Sequence, residues 1–380
     1  MTKLMHGFPP ATGSQVTLAN WRTPPFSRWA FQHVREIVPS ADIANDPAKV
    51  LPLVSAPVAL DVDDALAATD TDALVVLHRG RLVYERYANG MTADTPHILM
   101  SVSKSMLGLL AGVLASQRVL DLERDVTEIV PELAPTAYRG ASARQLLDMR
   151  AGILWDEDYH AVSGPIIEYR KSTNWNPLEP GESPSDLRSF FSRLEKSDGK
   201  HGGRFHYVSP NTDLLGWVIE RAAGRRYADL MSELVWKPIG AERSAYITVD
   251  RLGAPRCAGG ICTTARDLAR VGQAMVDGRV LPKAWIDDIE SNGDTAAWQA
   301  GSFTELFGGG PTHYRSKWYT LRGETPTLFG FGVHGQFLFV DRRNRVVIAK
   351  FSSQELPLDA RRIPLSVELA ETIRSRLAAG

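Results

Sequence analysis

Residues 97–115 read HILMSVSKSMLGLLAGVLA, and the fold turns on how this stretch is read. Ser101 and Lys104 lie three apart, a spacing that puts both side chains on one face of a helix. The run that follows is apolar on most sides, which predicts a helix buried all round. A serine hydroxyl becomes a nucleophile when a neighbouring base takes its proton. Lysine can be that base where apolar surroundings penalise its ammonium form. At a helix start the Ser101 amide would also face an incoming anion, where the helix dipole favours negative charge. Taken alone, the Ser-x-x-Lys spacing suits a serine capping a buried helix as well as it suits a catalyst. A second match, Ser197-Asp198-Gly199-Lys200, sits in a polar, glycine-rich loop with nothing to desolvate its lysine, and reads as chance.

Around this stretch the chain has 380 residues, 44% hydrophobic and 23% charged, the composition of an ordinary globular protein. Its length predicts two structural lobes rather than one core. With 43 basic against 44 acidic residues, the net charge of -1 recommends neither a nucleic-acid nor an anionic-membrane partner. The opening MTKLMHGFPPATGSQVTLANW lacks the apolar core of a signal peptide. The apolar run Met106–Ala115 is too short to span a bilayer. Cys257 and Cys262, in APRCAGGICTTARD, have no other Cys or nearby His. That pattern predicts reduced thiols in a cytoplasmic protein rather than a metal site or a disulfide framework.

Residues 1–60 are rich in Pro and Trp and read as an irregular wrapping segment. ALVVLHRGRLVYERYANG then predicts two strands joined at Arg79-Gly80. LDLERDVTEIVPELAPTAYRG and SARQLLDMRAGI are short helical pieces with Pro and Gly stops. From about Trp155 to Gly203 the chain is polar and loop-like. TDLLGWVIERAAGRRYADLMSELVW resumes a helical period, with Gly224 between two helices. TTARDLARVGQAMVDGRV predicts an amphipathic helix closed by Gly278. TLFGFGVHGQFLFVDRRNRVVIAKFSS predicts a strand pair turning at Arg342–Arg345, and LSVELAETIRSRLAA a closing helix. Strands early, helices in the middle and strands late predict an α/β (α+β) fold. Both chain ends, 1–100 and 250–380, would form an α/β lobe, and 101–249 a mainly helical lobe carrying active-site loops.

Two further constellations bear on Ser101. FHYVSPNTD places Tyr207, Ser209 and Asn211 just before a helix. A tyrosine can shuttle protons where a nearby ammonium favours its phenolate form. Asn211 or Thr212 could equally be a helix cap. In LFGFGVHGQFLFVD, the glycines Gly330, Gly332 and Gly335 spell G-x-G-x-x-G, but a β-rich run follows where a dinucleotide site needs a helix. A glycine-rich strand edge suits a different use, letting substrate approach backbone N–H groups. No G-x-S-x-G elbow, H-E-x-x-H or P-loop is present, and His97, His160, His206 and His334 are scattered singly.

With Ser101-x-x-Lys104, Tyr207-Val208-Ser209 and Gly330-Phe331-Gly332 in this order, the chain resembles the serine β-lactamase and penicillin-binding-protein superfamily. Within it, RWAFQHVREIVPSA, LMSVSKS, VTEIVPELA, DEDY, FHYVSPNTD, GGICTTARDLARVG and GVHGQFLFVD resemble the 6-aminohexanoate-dimer hydrolases and related carboxylesterases. The resemblance implies a β-lactamase-like fold, an antiparallel sheet flanked by helices plus a mostly helical lobe, with the active site in the cleft between them. It implies a cofactor-free serine hydrolase acting on a small-molecule ester or amide, without a metal. Ser101 would be the acyl-forming nucleophile, Lys104 its base and Tyr207 the proton carrier to the leaving group. The amides of Ser101 and Val333 would form the oxyanion hole. Tyr159, Ser209, Ala258, Tyr319 and His334 would contact substrate. Trp155, Trp318 and Tyr319 are candidate pocket walls, and a homodimer is a candidate assembly.

Three departures matter. Ser209 stands where Asn is usual, unless Ser209-Pro210-Asn211 is itself the box. Gly330-Phe331-Gly332 lacks the basic residue that helps bind the carboxylate of β-lactams and peptides. Arg170 falls near where amide-hydrolysing relatives place an acid for the substrate's ammonium, with Glu168 out of register. Esters, and linear amides such as 6-aminohexanoate oligomers as a second candidate, are therefore the expected substrates. A β-lactamase or D-amino-peptide hydrolase, and a non-catalytic sensor, are the competing readings.

Overall fold

The computed structural model describes residues 3–197, 199–307, 310–323 and 325–379; Asp198, inside the second Ser-x-x-Lys match, lies outside them. Twelve strands are described, in two sheets: β1 (Ser40–Ile43), β2 (Val54–Ser55), β3 (Thr71–His78), β4 (Arg81–Tyr87), β5 (His97–Ile98), β6 (Ala245–Thr248), β7 (Ile261–Thr263), β8 (Pro311–Arg315), β9 (Trp318–Leu321), β10 (Thr327–Gly332), β11 (Gln336–Asp341) and β12 (Val346–Ser352). The larger sheet has the order β2-β4-β3-β12-β11-β10-β9-β8, and the smaller β1-β6-β7-β5. β3 pairs directly with β12, so strands from distant parts of the chain form one sheet. Its pairs are antiparallel except β2 with β4, a short parallel addition at the edge.

Both faces of the large sheet are covered, which is why its central strands read as continuous apolar runs. Leu74, Val76, Phe337, Phe339 and Ile348 pack with Leu66, Leu369 and Ile373 of the Asp63–Ala68 and Arg362–Ala378 helices. Val75, Leu338, Val340 and Val347 face Leu268 and Val271 of the Ala265–Asp277 helix and the apolar helix Val102–Ser116. That apolar helix is buried from Val102 to Leu114, as its composition predicts. Around it lie the helices Val126–Ile129, Ala143–Leu147, Ser209–Ala223 and Tyr227–Met231.

The expected punctuation is present. Arg79 (φ 52°) and Gly80 (φ 78°) make the β3–β4 reversal with both residues in the left-handed region, as a type I′ hairpin requires. Gly224 and Gly278 end their helices in the same region.

Three features differ from the sequence reading. The segment 327–352 forms three strands, not two, because the chain also reverses at Val333–Gly335 through His334 (φ 62°) and Gly335 (φ 87°). β8 and β9 turn at Ser316 (φ 51°) and Lys317 (φ 71°), non-glycine residues that carry no hairpin signature. The polar stretch 155–203 contains the helix Pro165–Ser172, opened by Gly164 and a first-turn proline.

Candidate active site

The site begins at a strained turn. Met100, directly before the apolar helix, has φ 46°, a left-handed conformation costing a non-glycine residue on the order of 1 kcal/mol. Ser101 then occupies the N-cap position, yet its side chain makes no capping hydrogen bond. Lys104 Nζ lies 2.8 Å from Ser101 Oγ and 2.7 Å from the carbonyl oxygen of Ala258. Lys104 is 1% exposed. Burial pulls its amine down to about 7 from 10.5; the nearby Glu157 carboxylate opposes this and Arg256 adds to it. At neutral pH much of Lys104 is therefore a free amine able to accept the Ser101 proton.

Tyr207 is buried against the same pair. Its ring centroid is 4.9 Å from Lys104 Nζ, and its hydroxyl lies near enough to Ser101 to feel it. Burial pushes the phenol above its ordinary range and Glu157 reinforces the effect, while the nearby Ser101 pulls the other way. Tyr207 is thus a protonated phenol at neutral pH. The expected phenolate favoured by an ammonium is not what the site provides, because desolvation dominates and Lys104 itself gives up its charge. A neutral amine and an intact phenol suit a base and an acid respectively.

β10 meets the Met100–Ser101 turn edge-on. A Cβ on Gly332 would lie 2.5 Å from the Leu99 carbonyl oxygen and 2.9 Å from the Ser101 amide nitrogen; one on Gly330 would lie 2.7 Å from Ser105 Oγ. These glycines let the strand approach the helix start, not a substrate as the sequence suggested. The amides of Ser101 and Val333 come from the two segments thus brought together. Neither donates to a main-chain carbonyl among the described turns, loops and caps.

Two carboxylates hold the surroundings in place. Glu157 accepts from the Ser209 amide at 3.0 Å, from Ser209 Oγ, from Trp155 Nε1 and from the Tyr159 hydroxyl at 3.2 Å. Buried Asp213 pairs with Arg256 and Tyr169 and accepts the Ala258 amide at 2.7 Å. Asp213 thereby fixes the segment whose Ala258 carbonyl holds Lys104 Nζ. A cavity of about 900 Å³ adjoins the Met100 turn; Met100, Glu157, Tyr159, Arg170, Val333 and His334 are in its wall, while Ser101, Lys104 and Tyr207 are not.

The beta-lactamase family model matches residues 61–371. The chain belongs to that family. It is a serine hydrolase, and it is 37% identical over 358 residues to the 6-aminohexanoate-dimer hydrolase of Paenarthrobacter ureafaciens, covering 91% of this chain and 90% of that one. Among solved structures it resembles a Bacillus anthracis protein described as a candidate 6-aminohexanoate-dimer hydrolase, with TM-score 0.86 and 26% identity over 97% of this chain and 98% of that one. The D-amino acid amidase of Ochrobactrum anthropi SV3 shares the fold at TM-score 0.61 and 17% identity, over 84% and 98% of the two chains.

Within this beta-lactamase-family hydrolase, the structure brings Ser101, Lys104, Tyr207, Ala258 and Val333 together. Ser209 reaches Glu157, whereas Asn211 turns away to accept a hydrogen bond from Tyr138, and neither caps its helix. Tyr159 and His334 line the cavity; the His334 ring is held by the Gln354 carbonyl at 2.7 Å, and burial pulls it down to about 4, leaving it neutral. The expected pocket walls Trp155, Trp318 and Tyr319 are buried and do not line this cavity. Trp318 is fully buried, Trp155 packs on Tyr169 and Phe190, and Tyr319 stacks on Phe329. Glu157 and the Asp213–Arg256 pair went unrecognised in the sequence; only the acidic run DEDY hinted at the first.

Proposed function

We propose that the protein hydrolyses carboxylic esters, and linear amides of the kind named for its Paenarthrobacter relative, through an acyl-enzyme on Ser101. One observation carries the reading: a buried Lys104 amine, pulled down to about 7, sits 2.8 Å from Ser101 Oγ. Lys104 takes the Ser101 proton as the oxygen attacks the carbonyl carbon. The developing oxyanion is met by the Ser101 and Val333 amides. Tyr207 gives its proton to the departing oxygen or nitrogen and is reprotonated from Lys104. Water, deprotonated by the same pair, then cleaves the acyl ester and frees Ser101.

The substrate is a small molecule, and the scheme uses only side chains and backbone amides of this chain. Two buried free thiols, Cys257 and Cys262, are in keeping with a cytoplasmic setting. No described helix is long and apolar enough to cross a membrane.

The test is turnover of short-chain 4-nitrophenyl esters. Ser101→Ala should lower kcat by about a thousandfold or more. Turnover that survives the substitution would sink the proposal.

A further inference from the structure

The cavity walled by Met100 and Val333, next to the Ser101 turn, holds an unusual pairing of positive charge. Arg22, from the N-terminal wrapping segment, and Arg170, from the helix Pro165–Ser172, both stand in its wall. Arg170 is 8% exposed, and its described hydrogen bond is to the Tyr159 carbonyl at 3.3 Å. Arg22 is held by the Trp175 carbonyl and the Asn176 side chain, with its guanidinium over the Trp21 and Trp175 rings. Neither arginine forms an ion pair among the described residues. Burial and the charges of Arg170 and Arg256 pull Arg22 below the ordinary arginine range, and Arg170 is lowered by burial as well.

The wall's carboxylates are engaged elsewhere or face solvent. Glu157 is taken by Ser209, Trp155 and Tyr159. Glu168 faces Lys171 and Arg193, while Glu179 and Glu355 are exposed at the rim. Arg256, the third guanidinium, is neutralised by Asp213. Glu157 and Asp158 lend Arg170 some negative charge from a distance, but neither arginine has a carboxylate in ion-pair contact, and two guanidiniums this close in a partly desolvated cavity are best satisfied by an anion that joins them. Arginine's planar fork matches a carboxylate with paired hydrogen bonds.

We propose that Arg22 and Arg170 form an anion clamp that selects esters or amides carrying a second, ionised carboxylate on the acyl chain. The inference rests on the acyl-enzyme reading above and narrows its substrates, placing acyl chains that end in a carboxylate ahead of the ammonium-ended 6-aminohexanoyl chains.

Three acyl donors matched in length test it: mono-4-nitrophenyl adipate, 4-nitrophenyl hexanoate and 4-nitrophenyl 6-aminohexanoate, with terminal charges negative, absent and positive. The clamp predicts kcat/KM for the adipate ester roughly 10- to 100-fold above the hexanoate, with the aminohexanoate lowest. Arg170→Gln, verified as folded by its melting curve, should bring the adipate-to-hexanoate ratio towards one. Arg22→Gln also removes packing on two tryptophans, so the wild-type ratios and Arg170→Gln carry the comparison. If wild type acylates Ser101 with hexanoate or aminohexanoate as efficiently as with adipate, the clamp is wrong and the hydrolase reading stands. If none of the three acylates Ser101, both fall.

Discussion

At the scale of single residues, the proposed chemistry depends on Lys104 being neutral. Its amine is pulled down to about 7, so kcat/KM should climb with pH through that value as the base loses its proton. A pH–rate profile on a neutral ester measures this directly. Stability carries the same signature. Below about 7 both folded and unfolded chains hold the proton; between 7 and 10.5 only the unfolded chain does. Stability from this group therefore rises with pH across that window, by up to about 1.4 kcal/mol per pH unit. Urea unfolding at pH 7.5 and 9.5 should show that slope reduced in Lys104→Met. Glu157 is a positioning residue, and Glu157→Gln should cut kcat/KM roughly 10- to 100-fold. Because its charge opposes the lowering of Lys104, the variant's acid limb should also move to lower pH, a shift that loss of packing alone would not produce. Ser101, Lys104 and Tyr207 were legible in the sequence because spacing and order are linear properties. Glu157 was not, since its bond to Ser209 spans 52 residues and nothing local announces it.

At the scale of elements, the site is the junction of a helix start and a strand end. Gly332→Ala would drive a methyl group into the Leu99 carbonyl and Ser101 amide, displacing β10 from the nucleophile turn. Overpacking of this kind costs about 1–3 kcal/mol. The larger effect expected is on kcat, at least about tenfold, since even a small displacement of the Val333 amide weakens oxyanion binding. Steady-state kinetics beside a melting curve separate the two. Hairpins and helix ends with glycine signals were readable, as at Arg79-Gly80, Gly224 and Gly278. The β8–β9 pair was not, because Ser316 and Lys317 adopt left-handed backbone without glycine, and tertiary contacts supply what the local sequence does not. The β10–β11 reversal was missed for the opposite reason: with glycines at 330, 332 and 335, the segment reads as one glycine-rich strand edge, and no single glycine marks the turn made by Val333, His334 and Gly335.

At the scale of the whole molecule, residues far apart in sequence converge on one cleft wall. The N-terminal segment is part of it: Trp21, Phe31 and Val34 pack with Met100, Trp175 and Val333 in a cluster directly behind the nucleophile turn. Trp21, 1% exposed, donates its indole N–H to the Trp175 carbonyl at 3.1 Å. Trp21→Ala should cost about 3–5 kcal/mol in a denaturant unfolding measurement. An opening segment that reads as irregular wrapping also forms part of the cavity wall, a role its Pro- and Trp-rich composition conceals. The central claim nevertheless concerns one bond, between Ser101 Oγ and an acyl carbon. Rapid quenching of ester turnover, followed by peptide mass spectrometry, tests it most directly. The account predicts an acyl increment on the peptide containing Ser101, absent in Ser101→Ala. Turnover with the label on another residue, or with no covalent adduct at any quench time, would contradict it.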